Sequence, residues 1–302
     1  MAGAIPEDLY TGPFGMGSVW ELDFYSRPIL DENQKKVWEV LICEGAQEVS
    51  AESKEPFRFS KFLSNTEVNS IKLREAVEEA LAQAPSPPSR IRYFRYQMQN
   101  MISRACEEAG VPAKPSRRAL ALQQWLDERR ENFYPNQPGY TSAPAAIVAA
   151  PPPSPQALPD ALMGQKWAFV TLEAAALQEM SEWEIDFGEG FPLDLAGIDP
   201  ATPVPGILIF SPRALPLAGW MSGLELGFVR VEQSKTPRLI LETGSADSWV
   251  LANLTTPGTQ SEAQNFEAAK RAANQVHFIG VQTNPEADSF AGFWLMQERN
   301  FG

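Results

Sequence analysis

The sequence predicts an α/β (α+β) protein of two domains, each a mixed sheet of about four to five strands flanked by helices in the order β-β-β-α-β-α. Three observations predict this class. The chain has 302 residues, a length that suits about two domains. Its apolar content of 44% can build a sizeable core. On each side of one proline-rich stretch, segments of strand-like alternation are interleaved with segments of helical periodicity.

The proline-rich stretch covers residues 135–159 and contains eight prolines, six alanines and no charged residue. Such a composition favours an extended spacer and cannot close a core. It predicts four parts of the chain: a flexible tail at residues 1–17, an N-terminal α/β domain at 18–134, a linker at 135–159 and a C-terminal α/β domain at 160–302.

The N-terminal domain begins with an alternating segment, residues 20–27, which puts Trp20, Leu22 and Phe24 on one face. This alternation indicates a strand, and Pro28 is expected to end it. Further segments predict the elements that follow in order: strands at residues 36–44 and 57–62, a helix at about 73–81, a strand at 91–96, and helices at 98–109 and 116–132.

The C-terminal domain shows a similar succession of strands and helices. Ser261 and Gln264 form a capping-box pattern at the expected start of a helix. The predicted strands lie at residues 167–172, 206–210, 224–232, 237–243, 249–254, 276–282 and 290–297.

A short internal repeat links the two domains. Residues 116–125 (SRRALALQQW) align without gaps to residues 211–220 (SPRALPLAGW), with six of ten positions identical. Duplication of one domain and chance similarity of two amphipathic helices both account for this match, and the sequence leaves the two open.

Several chemistries are disfavoured by the absence of their residues. The chain has no phosphate-binding GxxxxGK[ST] motif and no GxGxxG motif. Its one histidine, His277, lies among apolar residues and suits a core position. Two cysteines, Cys43 and Cys106, are too few for a disulfide framework or a zinc site. No cofactor or metal is expected.

A metal-dependent nuclease is the enzymatic alternative. Three strands followed by α-β-α resemble a ribonuclease-H-like architecture, and Asp23, with Glu21, occupies the strand that holds a metal ligand there. Such enzymes gather several carboxylates around two metals. The fourth strand supplies no carboxylate, and the repeat equivalent of Asp23 is Gly227. A degenerate fold that binds without catalysis is therefore preferred.

The charge distribution favours an anionic partner for one region. The net charge is −13, but residues 86–130 hold nine Lys or Arg against four Asp or Glu. Within them, residues 90–96 (RIRYFRY) alternate arginines with aromatics, the side chains that bind phosphates and stack on bases of single-stranded RNA. The predicted RNA-contact residues are Arg90, Arg92, Tyr93, Arg95, Tyr96, Arg104, Lys114, Arg117, Arg118 and, in the second domain, Arg213.

Longer motifs resemble the Tab-two family of RNA-binding translation factors from chloroplasts and cyanobacteria. They extend from residue 19 to residue 296 apart from the linker: VWELDFYSRPILDENQKKVWEVLICE (19–44), RYFRYQMQNMISRACEEAGV (92–111), PSRRALALQQWLDER (115–129), LPDALMGQKWAFV (158–170), SPRALPLAGWMSGLEL (211–226) and FWLM (293–296).

The resemblance implies binding to A/U-rich single-stranded RNA in the 5′ leader of a photosystem reaction-centre message. It implies promotion of translation initiation, photosystem I biogenesis, and a protein that is not an enzyme. Translation machinery or photosystem assembly factors are possible partners, and a protein-interaction scaffold with an acidic docking surface is the other alternative. No apolar run reaches the length of a membrane span. The first residues carry no basic side chain, so a cyanobacterial cytoplasmic location is expected, with a stromal location for plastid relatives.

Overall fold

The computed structural model describes residues 18–46, 49, 56–142, 154–159 and 166–299. The predicted tail at residues 1–17 and the middle of the predicted linker lie outside them. The mixed α/β class is confirmed: the described residues form three sheets with six α-helices. We call residues 18–142 the first half and residues 154–299 the second half.

The first half is built on one five-stranded sheet with the order β3-β2-β1-β4-β5. The first three strands pair antiparallel, and β4 runs parallel to β1 and to β5. Three antiparallel strands followed by α-β-α is the succession that the sequence predicts. The elements are β1 (Val19–Leu30), β2 (Lys36–Gly45), β3 (Arg58–Leu63), α1 (Ser70–Gln83), β4 (Arg90–Tyr93), α2 (Gln99–Glu108), β5 (Ala113–Pro115) and α3 (Leu120–Glu128).

The two faces of this sheet carry different layers. Side chains such as Trp20, Leu22 and Ile42 pack against α1 and α2 in the larger core. On the opposite face, Leu41 and Cys43 pack against α3. Because strand side chains alternate between faces, every charged residue of β1 that lies between Trp20, Leu22 and Phe24 must point toward the α3 side.

The second half divides its strands between two sheets. One has the order β10-β11-β12-β6, and the other has the order β7-β9-β13-β14-β8. The elements are β6 (Gln156–Ala157), β7 (Lys166–Glu173), α4 (Ala174–Gln178), β8 (Ile185–Glu189), β9 (Pro203–Phe210), α5 (Ala214–Ser222), β10 (Leu226–Glu232), β11 (Arg238–Thr243), β12 (Asp247–Asn253), α6 (Pro257–Ala272), β13 (Val276–Gln282) and β14 (Phe290–Gln297). The strand order of the first half is therefore not repeated.

Three boundaries differ from the sequence predictions for physical reasons. Strand β1 continues through Pro28, at a register shift where the lack of an N–H costs no ladder bond. Strand β4 ends at Tyr93, so Tyr96 begins a 3₁₀ turn instead of extending the strand. Helix α6 begins at Pro257 with Thr256 as its N-cap, a full turn before the predicted Ser261.

Both ends of the predicted linker pack onto the sheets. Tyr140 forms a β-bridge with Ile29, and the Thr141 N–H donates to the Pro28 carbonyl at 2.9 Å. At the other end, β6 adds a parallel strand to β12. These contacts bring residues 135–142 to the first half and residues 154–159 to the second. The division into two domains at the predicted boundaries stays a prediction.

The sequence repeat corresponds to one local structure. In each copy a buried serine precedes the helix and its Oγ accepts the N–H two residues later: Ser116 from Arg118 at 3.0 Å and Ser211 from Arg213 at 3.1 Å. The helices α3 and α5 then follow. Because the surrounding sheets differ, the similarity supports a shared turn-helix unit, and the question of duplication stays open.

A shared core joins the halves. Leu120, at the start of α3, packs in a cluster whose buried members otherwise come from the second half, among them Leu177, Phe191 and Phe293. The halves are thus in direct apolar contact next to the charged groups described below. Within the described residues, no helix is both long and apolar enough to cross a membrane.

Candidate nucleic-acid interface

Four of the predicted RNA-contact arginines bind carboxylates of the second half. Arg92 donates from Nε to Glu225 at 2.6 Å and from both terminal nitrogens to Glu189 at 2.5 and 2.7 Å. Arg117 binds Glu242 at 2.6 Å. We call this group the inter-half clamp, and its members are Arg90, Arg92, Arg117, Arg118, Glu189, Glu225 and Glu242.

Arg118 is the most highly bonded member of the clamp. Its Nε lies 2.8 Å from a Glu189 oxygen. One terminal nitrogen donates to the backbone carbonyls of Glu189, Gly190 and Leu295 at 3.1, 3.2 and 2.7 Å. A side chain that satisfies three carbonyls of two strands fixes the start of α3 against the second half. It has little capacity left for a phosphate.

The clamp holds its charges in the ionised state. Burial would raise the pKa of Glu189, but the guanidinium groups of Arg118 and Arg92 outweigh burial and hold that pKa far below its usual value. For Arg92, burial opposes the charge, yet Glu189 and Glu225 raise its pKa above the usual value. Each partner therefore stabilises the other, and removal of either leaves an uncompensated buried charge.

The predicted contact residues from β4 to α3 do not form one exposed cationic surface. Arg92, Arg95 and Arg118 are buried, and Arg117 is mostly covered because Glu242 and the ring of Phe228 contact it. Tyr93 lies in the first-half core, where its hydroxyl bonds Ser103 at 2.8 Å. Arg92 and Tyr93 lie on opposite faces of β4, as predicted, and the second half covers the face that carries Arg92. Arg95 lies beyond the end of β4 and binds Asp23 on the α3 side, away from the face of Tyr93.

A second charged group lies on the α3 side of the first sheet. Asp23 binds Arg95 and Arg27, both at 2.8 Å. Glu39 binds Arg27 at 2.8 Å and also binds Arg129. The five side chains are all buried, and three cations face two anions. Burial alone would raise the pKa of Asp23, but Arg95 and Arg27 lower it below its usual value.

Aromatic rings enclose these three arginines, and we call the whole the arginine–aromatic cluster. The Arg95 guanidinium lies 4.2 Å from the centroid of Tyr25 and 4.8 Å from that of Phe94. The Arg129 guanidinium lies 4.0 Å from the centroid of Phe133. Desolvated cation–π contacts of this kind stabilise a buried guanidinium by about 2 kcal/mol. The cluster is completed by the ring of Tyr134, whose hydroxyl donates to Glu39 at 2.6 Å.

The nuclease alternative required free carboxylates at Glu21 and Asp23. Asp23 is instead bound by two arginines, and a Glu21 oxygen accepts the Leu122 N–H at 2.7 Å. No cluster of three or more His, Cys, Asp or Glu side chains suited to a metal ion occurs in the part of the chain that the structure describes. The positions of these two carboxylates suit packing between β1 and α3, and we do not propose nuclease activity.

The pKa of Glu21 tests how strongly its surroundings are buried, because it makes the stability of the protein depend on pH. Burial raises its pKa to about 7, against a smaller lowering by the Leu122 N–H and by Arg92. The folded state therefore keeps this proton between pH 4.5 and 7, where the unfolded state loses it, so the contribution to stability is lost as pH rises through 7. Glu21→Gln keeps an oxygen for the Leu122 N–H and cannot ionise.

We therefore expect Glu21→Gln to gain stability relative to the parent chain by about 2–3 kcal/mol between pH 5 and pH 8. Urea unfolding of both proteins at the two pH values measures this. His277 has a pKa lowered to about 3 by burial and by Lys270, so it opposes this trend, but it is present in both proteins and cancels. Parallel stability profiles of the two proteins from pH 5 to pH 8 would show that folded Glu21 is already ionised at pH 5.

Four predicted RNA-contact residues remain accessible. Tyr96 is 55% exposed, and Arg104 is 69% exposed and pairs only with Glu108 on its own helix, of the partners described. Lys114 lies exposed on β5, and Arg213 lies exposed before α5. Arg90 is partly exposed at the edge of the clamp. RNA contact by any of the ten predicted residues stays a prediction.

Of the charged side chains in the arginine–aromatic cluster, the sequence patterns indicate only Asp23 and Arg95. The available signal was Glu39, a carboxylate in the middle of a strand that is otherwise apolar enough to be central. A buried carboxylate needs a cation, and that requirement points to arginines distant in sequence. Its partners Arg27 and Arg129 lie 12 and 90 positions away, so no local pattern could identify them.

Comparison with known proteins matches both halves of the chain to domains of one family. The family model described as RNA-binding protein Tab2/Atab2, N terminal, matches residues 19–129, and the model of the C-terminal domain matches residues 145–297. The chain is 41% identical over 286 residues to "Protein TAB2 homolog, chloroplastic" of Zea mays, a match that covers 92% of this chain and 70% of the relative. The protein with the same description from Arabidopsis thaliana is 39% identical over 284 residues, with 92% and 74% covered.

The class that the fold and these matches define is a two-part mixed α/β protein of an RNA-binding family. The chain belongs to the Tab2/Atab2 family, which confirms the resemblance seen in its motifs. Both relatives are chloroplastic by description. The cytoplasmic, cyanobacterial location expected for this chain stays a prediction.

Proposed function

We propose that this protein binds single-stranded A/U-rich RNA in the 5′ leader of a photosystem reaction-centre message and promotes its translation. Its role would be in photosystem I biogenesis, with the translation machinery or assembly factors as partners. The observation that carries the proposal is membership of an RNA-binding family through both halves of the chain. The long motifs that cover the chain outside the linker support the finer assignment.

Accessible cations are the side chains through which we propose phosphate contact. Arg104, Lys114 and Arg213 are exposed, and Arg90 is partly so. An exposed ion pair such as Arg104–Glu108 contributes little to folding, so its arginine can exchange the carboxylate for a phosphate at small cost. The buried clamp arginines cannot do this without separating the two halves. Tyr96 adds an exposed ring for stacking on a base.

The proposal is tested by fluorescence anisotropy with an A/U-rich single strand, a G/C-rich single strand of equal length, and a duplex. We expect the A/U-rich strand to bind most tightly. The proposal has four phosphate contacts, one each from Arg90, Arg104, Lys114 and Arg213. They give a slope of about −2.8 in log K against log salt concentration, so binding weakens about 50-fold between 50 and 200 mM salt.

A triple variant, Arg104→Gln, Lys114→Gln and Arg213→Gln, should reduce that slope by about 2. Lys235→Gln changes an exposed lysine between β10 and β11 that is not among the proposed contacts, and this control should leave the slope unchanged. Failure of the parent chain to bind any of the three RNAs at 50 mM salt would refute the proposed function. Binding with an unchanged slope in the triple variant would refute only these contacts.

A further inference from the structure

Two phenylalanine rings stack on the outer margin of the first half, outside every contact predicted from the sequence. Phe62 lies on β3, the edge strand of its sheet, and is 40% exposed although it is strongly apolar. Its ring lies 6.3 Å from that of Phe133, with an angle of 12° between the planes. Phe133 is only partly buried. Most apolar side chains of this size in the described residues are buried, so an exposed ring stacked on a half-buried one needs a reason.

The side chains beneath the pair are charged and buried. In the strand register Phe62 lies opposite Glu39, which binds Arg129. The Arg129 guanidinium then lies 4.0 Å from the centroid of Phe133 and 6.0 Å from that of Phe62. Both rings are thus held in place by a buried ion pair before any ligand arrives, which lowers the entropic cost of binding a flat partner.

The backbone departs from regular geometry at the same place. Helix α3 ends at Glu128, and residues Arg129–Phe133 continue as a π-helical turn. The wider turn lets Arg129 point inward to Glu39 while Phe133 turns outward to meet Phe62. A π-helical segment is rare in proteins, and such segments are frequent at functional sites.

An exchangeable cation lies on the same face of the edge strand. Arg58 and Phe62 share a strand face with a separation of about 13 Å, because alternate residues point the same way. Arg58 is exposed and pairs at 3.2 Å with the exposed Glu128. That pair contributes little to stability, so a phosphate can replace the carboxylate at small cost.

We propose that Phe62 and Phe133 form a base-stacking site for single-stranded RNA, with Arg58 as its phosphate contact. This inference rests on the proposed function and locates part of its binding surface. Every base has a π-face, so such a site contributes affinity without choosing sequence. Any preference for A/U-rich RNA must come from other residues. The exposed ring of Phe62, the half-buried ring of Phe133 and a neighbouring cation together favour RNA over an apolar protein segment.

The test uses the full chain with Phe62→Leu, Phe133→Leu and the double variant. Leucine keeps an apolar side chain and removes the ring, so stacking is lost. Phe133→Leu also loses the cation–π contact with Arg129 and should be less stable than Phe62→Leu. We expect affinity for a uridine-rich single strand to fall at least about fivefold for each ring removed. Ile71→Ala removes an apolar side chain that is 55% exposed on α1 and should leave the affinity unchanged.

A photocrosslink gives a readout that a structural role would not produce. RNA with 5-iodouridine joins covalently to aromatic rings against which the base stacks, and peptides with Phe62 or Phe133 should carry the adduct. Thermal melting of each variant shows that it is folded. Crosslinks confined to other peptides, with parent-like affinity of the double variant, would overturn the inference and leave the proposed function intact. Absence of binding by the parent chain would overturn both.

Discussion

Replacement of Arg92 by alanine lowers the free energy of unfolding by about 3–5 kcal/mol, because it leaves buried carboxylates without their cation. Arg92 is 3% exposed and is bound on three nitrogens by Glu225 and Glu189. Arg90 and Arg118 stay near these carboxylates, but neither can replace a fork that spans both of them. Urea unfolding followed by far-UV circular dichroism measures the loss.

Three variants separate the ion-pair explanation from simple loss of packing. Arg92→Lys keeps the charge but presents one ammonium group to two carboxylates, so its stability should lie between those of the parent and Arg92→Ala. Arg92→Met with Glu225→Gln removes a cation and an anion together and should regain part of the loss. Arg104→Ala removes an exposed arginine and should unfold as the parent does.

The dependence on salt distinguishes a buried clamp from a surface charge effect. Buried pairs are screened far less than exposed ones. The difference between the parent and Arg92→Ala should therefore persist when the salt concentration is raised. A loss that disappears at high salt, or an Arg92→Ala protein as stable as the parent, would show that Arg92 is solvated and free to contact RNA.

The local sequence pattern was sufficient to predict most strands of the first sheet. The alternation of Trp20, Leu22 and Phe24 predicts β1 and its buried face, and the strands that follow lie within a few residues of their predicted positions. Local pattern also places Arg92 and Tyr93 on opposite faces of β4. Periodicity of two reports only that the faces differ, and it cannot report what covers each face.

The face of β4 that carries Arg92 is covered through ion pairs between residues that are far apart in the sequence. Arg92 binds Glu189 and Glu225, which lie 97 and 133 positions further along the chain. An arginine-rich strand face suits RNA and suits a set of glutamates equally well, since carboxylate and phosphate both accept the guanidinium fork. The sequence therefore indicates a guanidinium on this face of β4, but it cannot show that glutamates of the second half bind it.

The second half was less predictable because its strands are shared between two sheets. The parallel pairing of β9 with β13 brings together segments about 70 positions apart, and β6 arises from a stretch that composition predicts as spacer. Apolar runs indicate each strand but carry no information on which sheet receives it. The strand order followed from contacts that only the folded chain establishes.

Replacement of Glu39 by alanine is the second large expected effect, a loss of about 3–5 kcal/mol. Glu39 is fully buried and accepts from Arg27 at 2.8 Å and from the Tyr134 hydroxyl at 2.6 Å, besides binding Arg129. Its removal deprives two buried guanidinium groups of a carboxylate, and of these Arg27 keeps its ion pair with Asp23. Chemical denaturation of Glu39→Ala beside Glu128→Ala, which removes an exposed carboxylate, measures the contrast.

Glu39→Gln tests whether this cluster supports the proposed base-stacking site. Glutamine keeps the size and an accepting oxygen but loses the charge that holds Arg129 inward under Phe133. Its loss of stability should be smaller than that of Glu39→Ala, so its binding can be measured on folded protein. We expect its affinity for a uridine-rich strand to fall although Glu39 is buried and cannot contact RNA. Unchanged affinity in a measurably destabilised Glu39→Gln protein would mean that the rings need no support from the ion pair beneath them.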